Sequence, residues 1–140
     1  MSTTVIQTRY PECDMMGIVH HAVYPLWYEM ARMDFFAEVG FPFEDMRERG
    51  VNPAMVDMRI QYRAPAGYPQ TLRATVRLGE CAPRKLELLY EIADEGGAVI
   101  NEARTFHVWT GPDGKAFDMK QNLPGDYEKF ARKAGGQCTQ

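Results

Sequence analysis

The run YPLWYEMARMDFFAEV, from Tyr24 to Val39, limits the possible folds more than any other feature of the chain. It is long and rich in helix-compatible apolar residues, with Gly40 and Pro42 as stop signals, so it reads as a helix of about four turns. At 100° per residue Glu29 and Arg32 share one side, Asp34 and Glu38 sit nearly opposite, and apolar groups take most of the circumference. Such a helix must be wrapped, and the rest of the sequence supplies the wrapping. Ala54 to Arg63, Leu72 to Cys81, Lys85 to Ala93 and Val99 to Trp109 are strand-length runs bounded by APAGYP, CAPR, DEGG and TGPDG. Thr3 to Tyr10 suits a first strand ended by Pro11. Phe43 to Arg49 reads as a short second helix and Asp126 to Lys133 as a terminal one. The short links between strands favour an antiparallel meander, with a hairpin at Glu95-Gly96-Gly97. The expected class is α+β, a five-stranded antiparallel sheet around one long buried helix.

A chain of 140 residues fits one domain, residues 1–140, in which 134–140 reads as a flexible tail. The open edges of a single sheet need covering, so at least a homodimer is expected. A net charge of -3 with mixed signs offers no basic surface for phosphate backbones, which argues against a nucleic-acid partner. Cys13, Cys81 and Cys138 form no CxxC and suggest no disulfide framework. Without a leader pattern or a run of about 18 apolar residues, the chain reads as cytoplasmic, with no membrane partner.

The chemistry is narrowed by elimination. Ser2 is the lone serine and lies at the terminus, which excludes a serine triad. No GxGxxG, GxxxxGK[ST] or HExxH pattern occurs. His20, His21 and His107 with Asp14 lack metal-ligand spacing, and adjacent histidines in an extended segment would point to opposite sides, so no metal site is expected. What remains is YPECDMMGIVHHAVYPLWYEMAR, Tyr10 to Arg32. Asp14 stands in a turn ahead of the helix, with Gly17 three residues on. Amides near Gly17 could hold an oxyanion while a carboxylate attacks an acyl carbon or deprotonates a water that does so. Helix capping is the ordinary use of an aspartate at such a position. Glu29 and Arg32 read as an i,i+3 ion pair.

Tyr10, Asp14, Gly17, Ile18, Val19, His21, Tyr24, Trp27, Glu29, Ala31 and Arg32 fill a pattern that resembles the signature of the 4-hydroxybenzoyl-CoA thioesterase family, hotdog-fold acyl-CoA thioesterases. The likeness continues through QYRAP (61–65) and INEARTFHVW (100–109). The resemblance implies that Asp14 is the catalytic carboxylate and that His21, rather than His20, and Tyr10 assist. It also implies an acyl-CoA substrate, no cofactor beyond the coenzyme A of that substrate, and an active site at a dimer interface, with dimers sometimes pairing into tetramers. Met15 and Met16 depart from the small residues or proline of many relatives, which leaves the acyl group open. Coenzyme A carries phosphates, so cations are expected near the pocket mouth, with Arg84 and Lys85 as candidates. A hotdog hydratase or dehydratase and a non-catalytic acyl-CoA-binding protein are the rival readings.

Overall fold

The computed structural model describes residues 2–134, so Cys138 and all of the expected tail except Ala134 lie outside the described residues. Strands β1 (Ser2–Gln7), β2 (Asn52–Tyr62), β3 (Thr71–Cys81), β4 (Lys85–Ala93) and β5 (Val99–Thr110) form one antiparallel sheet in the order β1-β3-β4-β5-β2. Helix α1 (Tyr24–Val39) lies on its inner face, followed by α2 (Phe43–Arg49), while α3 (Met119–Asn122) and α4 (Pro124–Lys133) close one end. The meander holds for β3, β4 and β5. It fails for β2, which crosses to the far edge and pairs with β5 rather than β3. The reason lies in the link 63–70, which is tied to other elements instead of reversing as a hairpin. Ala66 is buried and accepts from the Val19 amide at 2.8 Å, and the Gln70 carbonyl accepts from the Thr8 amide at 2.9 Å.

Helix α1 buries Tyr24, Trp27, Tyr28, Ala31, Arg32, Phe35, Phe36 and Val39, a stripe at i, i+3, i+4 spacing. Gly40 takes a left-handed conformation at its end, which a side chain would resist. The opposite side is open in the single chain: Leu26 is 61% exposed, with Met30 and Met33 beside it. The expected Glu29–Arg32 pair does not form. Glu29 is exposed, whereas Arg32 is buried and donates to the Tyr90 hydroxyl at 3.2 Å. Cys81 is disulfide-bonded, contrary to the expectation of no disulfide, and Cys13 is free.

A buried polar chain crosses the core beneath α1. Tyr90 Oη lies 2.6 Å from Thr105 Oγ1, Thr105 Oγ1 lies 2.8 Å from His107 Nε2, and His107 Nδ1 lies 3.0 Å from the Pro53 carbonyl. Its direction follows from its ends. Arginine only donates and a carbonyl only accepts, so Nδ1 carries the proton, Thr105 donates to Nε2, and Tyr90 donates to Thr105. Burial pushes His107 down from its ordinary 6.5 to about 4, and the Arg32 charge adds to this while the Pro53 bond opposes it. A neutral imidazole is what this chain requires. At the closed end Phe36, Phe41, Trp109 and Phe130 pack edge to face, with the Phe41–Trp109 pair tilted, at centroid distances of 5.6 to 6.4 Å.

Candidate active site

After β1 the chain makes a 3₁₀ turn at Tyr10–Glu12 with Pro11 near its start, where a missing amide costs nothing. The Glu12 carboxylate accepts from the Arg9 amide at 2.7 Å and from the Trp27 indole at 3.2 Å, which fastens the turn to α1. Cys13 then pairs with Val19 in a one-rung antiparallel bridge, and Asp14 to Ile18 close it. The Asp14 amide donates to Ile18 at 2.8 Å and the Gly17 amide donates to the Asp14 carbonyl at 3.0 Å. Gly17 has φ +78°, a conformation that explains glycine at the turn. The amide of Gly17 itself is therefore occupied by the turn. Among the described residues, the amides of Met15 and Ile18 have no acceptor.

Asp14 does not cap α1, whose N-cap is Val23. Its Oδ1 accepts from the Met16 amide at 2.8 Å, an Asx-turn, while Oδ2 has no hydrogen-bond partner among the described residues and the side chain is exposed. The result is a carboxylate held by one oxygen and open at the other. Met15 and Met16 project from the tip of the loop into solvent. Cys13 packs against the core, away from this face.

The histidines depart from the expected geometry. They sit in a 3₁₀ turn, His21–Val23, with His20 at its N-cap, rather than in extended chain, so their rings stack with centroids 4.3 Å apart and planes 28° apart. His20 Nδ1 accepts from the Ala22 amide at 3.0 Å. On the other side of His21, its carbonyl accepts from the Tyr62 hydroxyl at 2.8 Å. Tyr10 is 75% exposed with its ring edge-on to Tyr68 at 6.0 Å, and no hydrogen bond joins it to Asp14. Glu12 and Tyr62 carry no role in the residue pattern, yet Glu12 fastens the turn to Trp27 and Tyr62 holds the His21 carbonyl. Tyr62 lies in the QYRAP segment, the one signal that could have marked it.

Arg84 and Lys85 are not brought to this site within one chain. The Arg84 carbonyl accepts from the Trp109 amide, next to the start of β2, whereas the Asp14 loop lies by the end of β2; the strand between spans roughly 30 Å. Lys85 pairs with Glu80 at 2.9 Å, and Arg84 faces Asp118 at 3.9 Å. A hollow of about 670 Å³ lies on the outer face of the sheet, lined by Arg59, Arg77, Arg104, Glu91 and Glu102 among others, and contains none of Tyr10, Asp14, Gly17, His21, Arg84 and Lys85. Among the described residues no group of three His, Cys, Asp or Glu could hold a metal ion, and no helix is long and apolar enough to cross a membrane.

One long helix on a five-stranded antiparallel sheet is the hotdog fold of thioesterase structures. Residues 8–124 match the model of the thioesterase-like superfamily, and the chain belongs to that family. YneP of Bacillus subtilis is 32% identical over 77% of this chain and 78% of its own. Acyl-CoA thioester hydrolase YbgC of Escherichia coli is 25% identical over 80% of this chain and 87% of its own. Among solved structures, a DHNA-CoA thioesterase from Staphylococcus aureus superposes with a TM-score of 0.88 at 26% identity, over 94% of this chain and 89% of that one.

Proposed function

We propose that the protein hydrolyses acyl-CoA thioesters to the free acid and coenzyme A, with Asp14 as nucleophile or general base. The observation that carries this reading is the Asp14 carboxylate itself, exposed, oriented through Oδ1 and open at Oδ2. As a base, Oδ2 takes a proton from water, whose oxygen attacks the thioester carbon; the C–S bond breaks and the thiolate leaves to be protonated. As a nucleophile, Oδ2 attacks the same carbon, the C–S bond breaks and the thiolate leaves, and water then opens the resulting anhydride to the free acid and the Asp14 carboxylate. Either route develops charge on the carbonyl oxygen, and the Met15 and Ile18 amides are the unoccupied donors of the turn. His21 and Tyr10 assist by orienting the acyl group or moving a proton.

The working unit in this reading is a homodimer. Edge strand β2 keeps one side of its ladder unpaired, Met55 and Val56 on it are exposed, and Leu26, Met30 and Met33 leave exposed apolar surface on α1. Antiparallel pairing of β2 with its copy brings the end that carries Asp14 beside the start of the other strand. Arg84 of the partner subunit is then near enough for a coenzyme A phosphate, which the arrangement within one chain does not allow.

Asp14→Asn should lower kcat by about 10²-fold or more with the fold kept, read by thiol release over a panel of acyl-CoA esters. An unchanged rate sinks the assignment. Single-turnover hydrolysis in heavy-oxygen water labels the Asp14 carboxylate only on the anhydride route. Acyl-CoA binding without thiol release would instead favour the hydratase or binding-protein readings.

A further inference from the structure

We infer that His20 and Tyr62 are positioning residues for His21, gripping it from two sides. This rests on the thioesterase reading, because it gives His21 a task for which ring orientation matters. The residue pattern leaves His20 out, and a histidine beside a candidate residue is easily dismissed as filler. The geometry gives it two duties. Its Nδ1 accepts the Ala22 amide and starts the short turn that carries His21, and its ring face covers the His21 ring at 4.3 Å. The Val23 amide closes the same turn onto the His20 carbonyl at 3.0 Å.

Tyr62 acts from the opposite direction. Its hydroxyl holds the His21 carbonyl at 2.8 Å, and its ring stands edge-on to Tyr24 at 5.3 Å, the first residue of α1. The His21 peptide is thus fixed to the last residue of β2 while its ring is fixed by the preceding residue. Tyr62 sits at the end of a strand paired to β5, and the Tyr24 ring it stands against is buried. A 3₁₀ turn of three residues has few hydrogen bonds of its own and would otherwise sample several ring directions. The grip also links His21 to the edge strand that the dimer reading uses, so a change in β2 reaches the histidine without touching substrate.

Two variants separate grip from fold. His20→Asn keeps an N-cap acceptor but removes the stacked ring, and Tyr62→Phe keeps the ring against Tyr24 but removes the hydroxyl. Each is expected to lower kcat about five- to tenfold with KM changed less than about twofold, the pattern of lost orientation rather than lost binding. The NMR signals of the His21 ring report the grip directly, without activity. They should shift in His20→Asn as the ring stack disappears, and broaden in Tyr62→Phe as the turn loosens, while core methyl signals stay in place. His21 signals unchanged in both variants overturn the inference, even if Asp14→Asn abolishes turnover. Shifted signals with kcat unchanged overturn the catalytic use of the grip. A failed thioesterase reading shows separately, as a wild-type protein that releases no thiol while its His21 signals still respond.

Discussion

Lowering the pH from 7.5 to 5.0 should weaken the fold through one side chain, His107. Burial holds its folded-state value near 4 against an ordinary 6.5. The unfolded chain therefore takes up the proton first as the pH falls. Stability from this group is complete above pH 6.5, declines between 6.5 and about 4, and is flat below. At 1.36 kcal/mol per pKa unit the full loss is about 3 kcal/mol, of which about 2 kcal/mol has gone by pH 5. The structure gives the reason: a proton on Nε2 removes the acceptor for Thr105, and the Tyr90–Thr105 pair must turn against Arg32, which can only donate. Urea unfolding at fixed protein concentration, repeated from pH 5 to 8, measures it, with His107→Gln as a non-titrating reference. The wild type should lose about 2 kcal/mol more than the variant across that range. Parallel pH curves for the two proteins would falsify the assigned direction of the buried chain.

Other outcomes can be read from single substitutions. Thr105→Val leaves His107 Nε2 and the Tyr90 hydroxyl without their shared partner and should cost about 2–3 kcal/mol by urea midpoint. Gly17→Ala forces a side chain to φ +78° and should cost about 1 kcal/mol while lowering thiol release; an unaffected rate would mean that the turn does not set the Asp14 geometry. Met30→Lys with Met33→Lys should shift sedimentation from dimer toward monomer, because both face the open side of α1. Asp126→Ala frees Arg49 and Lys129, which meet on its buried carboxylate, and should lower Tm by several degrees.

Where the sequence was legible, local signals and packing agreed. Gly40 and Pro42 end α1 where expected, and β4 runs from Lys85 to Ala93 as its turn residues imply. The place of β2 was not legible, because APAGYP marks a break in structure whether the chain reverses beside its neighbour or crosses the molecule. Only the bonds from Val19 and Thr8 into that link decide between them. In the site, Asp14 and Gly17 stood out because turn chemistry is local. The histidine geometry was misread because alternation applies to extended chain, and a cap formed by His20 turns the segment into 3₁₀ instead. The Glu29–Arg32 pair failed for a different reason. Spacing on a helix says which residues can meet, whereas a tyrosine on the sheet beneath can compete for the arginine.

The crossing of β2 to the far edge also bears on the order in which the molecule can assemble. β3, β4 and β5 are joined by tight turns, whereas β1 must find β3 with Thr3 opposite Thr75, and β2 must find β5 with Pro53 opposite Trp109. Closing such distant pairings is slow relative to hairpins, so the central three strands should form the nucleus and both edges should join late. The Asp14 loop follows one edge strand and leans on the link that follows the other. In refolding, enzymatic activity should thus return after most of the backbone circular dichroism signal, as the final event in the maturation of the chain.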